Sequence, residues 1–325
     1  MRHSRQAAAP TPCGPARDDP AYLEQVARDV DRWRTRKPPK ALQIMNKPLQ
    51  VMGMPIAKAM ELEPVQAVVR RALGVATDVG AWSVPTETVL SRYRRLGYPV
   101  ESLADVRRCV PFDAMDHQVR AFRGGYTAVG AVEGTAAGLS AAAAASAAAA
   151  AAVASGGAAA PAGAAAAAAV IATDVVLVAT ISCRIVAHYA TWYGVDVSEP
   201  RRQQEALMAL SIATAASTEE KTAVLAEVGE LRALLVRRQP WSALEERTVV
   251  RAIRKIAERF GYRLTQARLA QALTVVGAAL GGAFNAVQLN GIADAAYMLN
   301  RESLLLARRS GPPRGELGPG PAPTP

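Results

Sequence analysis

Forty consecutive residues between Glu133 and Asp174 carry no charge, and residues 141–152 are alanine throughout except for Ser146. Alanine has the highest helix propensity and almost no side-chain entropy to lose, so such a run is a helix or it is nothing regular. Ser155-Gly156-Gly157 and Pro161 interrupt the run. The expected form is therefore a helical hairpin over roughly 126–154 and 162–192, with a neutral tip. A second charge-free stretch of 25 residues separates Arg268 from Asp294. Either stretch is long enough for a bilayer core, which needs about 20 residues. Length is not hydrophobicity, however. The more apolar half is Val170–Cys183, and it contains Asp174, an acid that opposes insertion by about 2.5–3.5 kcal/mol at a helix centre.

The rest of the chain also reads as helical. Half of the residues are apolar but only 5% are aromatic, which favours thin, close helix contacts over a bulky aromatic core. No window alternates strictly enough for a strand. A first helix is expected over Ala21–Arg36, halted by Pro38-Pro39, with another helical pattern over Val65–Thr77. Ser102 with Asp105, Ser217 with Glu220 and Ser242 with Glu245 have capping-box spacing. Leu96-Gly97, Tyr193-Gly194 and Phe260-Gly261 look like helix ends closed by a left-handed glycine. The fold class is all-α: a multi-helix bundle with a glycine- and alanine-rich hairpin and a glycine-rich C-terminal helix. Residues 1–20 and 310–325 read as disordered tails rich in Pro, Ala and Gly, around a domain over 21–309 whose 139–170 segment is the alanine-rich low-complexity part.

Charge points to a partner surface. There are 38 basic and 28 acidic residues, a net +10. From Arg232 to Arg268 ten basic residues face three acidic ones, a local +7. The helix expected there puts Val249, Val250, Ile253, Ile256, Ala257 and Phe260 on one face. Arg247, Arg251, Arg254, Lys255 and Arg259 fall largely on the other, which reads either as a solvated face or as a surface that meets anionic lipid or an acidic partner. Nucleic acid is disfavoured, because no aromatic residues are interleaved as stacking platforms and no helix-turn-helix is recognisable. Gly130, Gly134 and Gly138, and again Gly277 and Gly281, have the one-turn spacing that lets a second helix backbone approach. Arg120 and Arg123 before the hairpin and Arg184 after it would keep both its ends on the cytoplasmic side. No apolar h-region precedes Pro10, so no signal peptide is expected.

Chemistry is hard to place. Cys13, Cys109 and Cys183 have no partner at metal or redox spacing, a usage that fits a reducing cytoplasm, and no cofactor or metal is implied. Neither a nucleophile elbow nor a phosphate-binding glycine loop is present. The catalytic candidates are Asp174, His188 and Glu133. On one straight helix Asp174 lies about 15 Å from Arg184 and about 21 Å from His188, so an acid–base couple would need another segment, such as Glu133 or Asp294.

Several of these residues carry a family resemblance. Glu133-Gly134, then Asp174, Arg184, His188 and Tyr193-Gly194 with Asp196, together with Val276-Gly277, Gly281-Gly282, Phe284-Asn285 and Asp294-Ala295-Ala296, resemble the EcsC family over about Tyr22–Arg309. Two departures are visible: Val195 stands where an aromatic residue is usual, and the alanine run is longer than the pattern needs. The resemblance implies an all-helical bacterial protein of unresolved biochemical function, named for a gene beside an ABC-type transporter, and supplies no catalytic residues. The combined expectation is an accessory or interaction role at the cytoplasmic side of the inner membrane, inserted or peripheral, with a membrane protein or transporter as a candidate partner. The alternative is a hydrolase-like or ion-handling protein using Asp174 and His188.

Overall fold

The computed structural model describes residues 14–39, 50–51, 54–55, 67, 84–120, 160–198, 208–215, 217–236 and 275–310. Seven helices within them are labelled here: α1 Pro20–Thr35, α2 Thr86–Arg95, α3 Leu103–Cys109, α4 Phe112–Arg120, α5 Ala160–Trp192, α6 Thr218–Val236 and α7 Val275–Ser310. Residues 208–213 form a further short helix. Gln50–Val51 and Met54–Pro55 pair as a two-residue antiparallel ladder, too short to change an all-α architecture.

Local chemistry sets the ends. Asp19 caps α1 by accepting from Ala21 N at 2.9 Å, with Pro20 in the first turn, where a missing N–H costs nothing. Ser102 and Asp105 form a complete capping box at α3. Ser217 supplies the hydroxyl half of another at α6, accepting from Glu220 N at 3.1 Å. The α2 end at Gly97 and the α5 end at Gly194 both take positive φ, +91° and +71°. At Gly194 a Cβ would meet Leu103 O at 2.5 Å and Arg107 N at 2.6 Å, so only glycine lets α5 end against α3. The Ser242 box and the Phe260-Gly261 end lie outside the described residues.

The long helices α5 and α7 pack along one another, and α1 covers α7 while α2 and α4 lean on α5. Val26, Val30 and Trp33 of α1, Tyr93 of α2, Met115 of α4, Val175, Val178 and Ile185 of α5, and Leu289 and Ile292 of α7 form one continuous buried cluster. Each such side chain stabilises the fold by about 1.5–3 kcal/mol through burial. The stretch Val175–Trp192 has mean hydropathy 1.4 and is, among the described residues, the one helix apolar enough to cross a membrane, yet 67% of it is buried inside the protein. A span-like composition here belongs to a core helix.

Contacts also place the segment before α1 and two of the cysteines. Residues 16–19 are fastened to the domain: Ala16 N donates to Arg108 O at 2.9 Å, and Asp18 accepts from Phe112 N at 2.8 Å, capping α4 from outside. Cys109 is disulfide-bonded. Cys183 is a buried free thiol whose pKa is pushed up by burial.

Candidate functional site

The densest set of titratable groups surrounds Asp116. Two features bury this carboxylate completely. Met115 and Val119 turn the inner face of α4 into the core, and Phe112 wedges its ring against Tyr22 and Tyr193 at 6.1 and 6.3 Å. A bare carboxylate could not remain there, so every neighbour is a donor. Tyr22 donates to Oδ2 at 2.6 Å and Tyr297 to the same oxygen at 3.3 Å, while Tyr193 donates to Oδ1. The Arg301 guanidinium lies 3.0 Å from Oδ2 through Nε. The angle there is poor for a hydrogen bond, so the contact acts through charge. Arg301 also reaches Asp29 through Nη1 at 3.3 Å and covers the Tyr297 ring at 5.0 Å. Arg120, half-exposed, donates to Tyr297 Oη at 3.3 Å and to Tyr22 Oη at 3.2 Å.

Electrostatics follow from this packing. Burial pushes up the Tyr22, Tyr193 and Tyr297 phenols, and the adjacent Asp116 pushes them further, so all three remain protonated donors. Burial alone would lower Arg301, but Asp116 outweighs it and the guanidinium is held charged. Two formal negative charges, Asp29 and Asp116, meet two positive ones, Arg120 and Arg301. The set joins α1, α4, the end of α5 and α7, and its phenols and carboxylates are engaged with one another. Chemically it can hold a helix arrangement; a proton shuttle would need an acceptor with an unoccupied lone pair facing a substrate.

A second polar site lies at the end of α1. Lys221 of α6, 6% exposed, donates to Trp33 O and, at 3.2 Å, to Arg36 O, with its ammonium 4.6 Å from the Trp33 ring centre. These carbonyls belong to the last turn and cap of α1, where a cation suits the dipole. Burial, with help from Arg36, lowers the Lys221 pKa to about 8. Beside it Arg36 pairs with the buried Asp294, and Arg34 with the buried Glu302.

The residues singled out from the sequence fare differently from one another. His188 is half-buried on α5; Trp192 Nε1 donates to its Nε2 at 2.9 Å, and burial lowers its pKa, so it is a neutral acceptor within its own helix. Asp174 lies fourteen residues earlier on the same helix, and the structure brings the two no closer than that spacing allows. Asp294, considered as a partner for Asp174, pairs with Arg36; the Asp174 side chain lies outside those described. Arg120, read as a topological flank, belongs to the Asp116 network. Gly277 and Gly281 stand in the first half of α7. Glu133, Gly130, Gly134, Gly138, Arg247, Arg251, Arg254, Lys255 and Arg259 lie outside the described residues. Among those described, no group of three or more His, Cys, Asp or Glu could hold a metal ion. Sequence reasoning missed Asp116, Tyr22, Tyr297 and Arg301. Their only sequence signal is an acid, Asp116, at a register that Phe112, Met115 and Val119 mark as inward-facing.

The model of the EcsC protein family matches residues 24–305. No curated protein and no solved structure matches the chain.

Proposed function

The chain belongs to the EcsC protein family, and on that premise we propose that it is an accessory interaction protein held at the cytoplasmic face of the bacterial inner membrane, with no reaction of its own. The observation that carries the reading is the pairing of a net +10 chain with two long charge-free stretches flanked by basic residues. Positive charge near an anionic leaflet contributes about 1 kcal/mol per Lys or Arg at the surface, so a +7 region suffices for association. A bilayer-crossing role for Val175–Trp192 is not part of the reading, because 67% of that segment is buried in the core. The engaged state of the Asp116 network and the neutral, internally bonded His188 also favour a structural over a catalytic part. The partner is an anionic membrane surface, with a membrane protein or transporter beside it as the object of the accessory role.

Fractionation of cells expressing the full chain tests this. The expected result is recovery in the membrane pellet at low salt. Recovery wholly in the soluble fraction would contradict it.

A further inference from the structure

Cys109 closes α3 at the point where three parts of the chain are fastened together. The carbonyl of Arg108, one residue before it, accepts from Ala16 N at 2.9 Å and from Arg308 Nη1 at 2.8 Å. The carbonyl of Val110, one residue after it, accepts from Arg308 Nη2 at 2.8 Å. Asp18 accepts from Phe112 N at 2.8 Å and lies 3.2 Å from Arg308 Nε. Residues 16–19, the α3–α4 corner and the end of α7 therefore meet around Cys109, which is itself buried and disulfide-bonded. The chain has three cysteines, and Cys183 is a free thiol. Cys13, which lies outside the described residues, is the one partner the count leaves. It stands three residues before Ala16, a separation of at most about 10 Å, so the Ala16–Arg108 hydrogen bond keeps it within reach of Cys109.

We propose that Cys13 and Cys109 form a reversible disulfide clasp that sets how firmly residues 16–19 are held against the α3–α4 corner. A dithiol opens it by thiol–disulfide exchange. One thiolate of the dithiol attacks the Cys13 sulfur, since burial shields that of Cys109, and Cys109 leaves and takes up a proton. The second thiol of the dithiol then displaces Cys13. Two electrons and two protons pass to the protein, and the dithiol becomes a disulfide. Reversibility rests on the cytoplasmic placement proposed above, because disulfides in a cytoplasm are as a rule transient and redox-sensing. The pairing rests on the cysteine count alone.

The test uses the full chain. Peptide mapping without reductant should recover Cys13 linked to Cys109 and Cys183 unlinked. Three free thiols in the air-oxidised protein, or Cys109 linked to a second copy, would overturn the clasp. After treatment with dithiothreitol the Ala16 amide should exchange its hydrogen at least about tenfold faster. Cys13→Ser should exchange at that faster rate with or without dithiothreitol, and the Val175–Trp192 amides should be unchanged throughout. This variant leaves the buried Cys109 in place, and the α5 amides report on the fold, so general unfolding cannot mimic the pattern. An Ala16 amide indifferent to reduction would overturn the hold on residues 16–19. In cells, trapping with N-ethylmaleimide should find Cys109 as a free thiol before a brief diamide treatment and linked after it. A link that persists without oxidant would overturn reversibility. None of these results depends on whether the chain fractionates with membranes, so the two readings fail separately.

Discussion

Asp116 and Lys221 are both buried charges, and the fold accommodates them by opposite means. Around Asp116, donors from α1, the end of α5 and α7 converge on one acid, and a guanidinium at 3.0 Å supplies the counter-charge. Around Lys221 no carboxylate among the described residues makes direct contact; two peptide carbonyls at the end of α1 and the face of Trp33 receive the ammonium. The first arrangement holds its groups in their charged and protonated forms, with the tyrosines raised and Arg301 kept cationic. The second leaves the amine near its titration point, at about 8. Specific counter-charge fixes a protonation state, whereas dipoles alone only tolerate it.

The largest effect should come from breaking the acid side. Asp116→Ala leaves Arg301 buried without its main partner and should cost about 3–5 kcal/mol of unfolding free energy by chemical denaturation. Adding Arg301→Met should recover part of that loss, the signature of a coupled pair in a double-mutant cycle. A loss below about 1 kcal/mol for the single change would remove Asp116 from the centre of the packing.

Gly194 sharpens the same comparison, since it ends α5 and sets Tyr193 against Asp116. Gly194→Ala forces a Cβ into Leu103 O and Arg107 N at positive φ. The expected cost is about 2–4 kcal/mol from backbone strain and overpacking together. A melting temperature unchanged in this variant would mean the α5 end is looser than described.

Lys221→Met should be far milder than Asp116→Ala, within about 1 kcal/mol of the parent, because the lost hydrogen bonds are offset by removal of a buried charge. Its signature is in pH dependence. The folded-state pKa, about 8, lies below the ordinary 10.5, so over that window the unfolded chain binds a proton the folded chain does not, and this group makes stability rise with pH. Denaturation midpoints at about pH 7.5 and 9.5 should show the rise in the parent and its loss in Lys221→Met. Above about pH 10 the sign reverses: the buried phenols, raised above 10.0, are protonated only in the folded chain, and stability should fall.

His188 should give the smallest effect. Burial lowers its pKa from 6.5, so it contributes stability that is present above about pH 6.5 and is lost as pH falls through its folded value. His188→Phe should flatten that acidic slope, and a slope unchanged by the substitution would show that the imidazole is solvated.

Much of the fold was legible in the residues. The expected Ala21–Arg36 helix differs from α1 by one residue at each end, the second arm of the hairpin corresponds to α5, and the glycines of Leu96-Gly97 and Tyr193-Gly194 take the left-handed conformation their context implied. These features are local, set by caps, prolines and steric freedom within a few residues. The Asp116 network is not local. Tyr22 and Asp116 are 94 residues apart, and Tyr297 lies 181 residues beyond Asp116, so no spacing rule could connect them. Tyr193 was visible as a helix end but not as a donor, and Arg120 as a flank but not as a bridge. The apolarity of Val175–Trp192 was plain in the sequence; whether it faces lipid or protein depends on α7, α2 and α4, whose packing on it no pattern within α5 records.

Val175–Trp192 is, by that packing, an interior helix, two thirds buried within the protein, and the core depends on it. Amide hydrogen exchange of the full chain, purified without detergent, tests this directly. The Val175–Trp192 amides should be among the slowest to exchange in plain aqueous buffer and should change little when anionic vesicles are added. Rapid exchange in buffer, with protection gained only in lipid, would contradict an interior position and return this helix to the membrane.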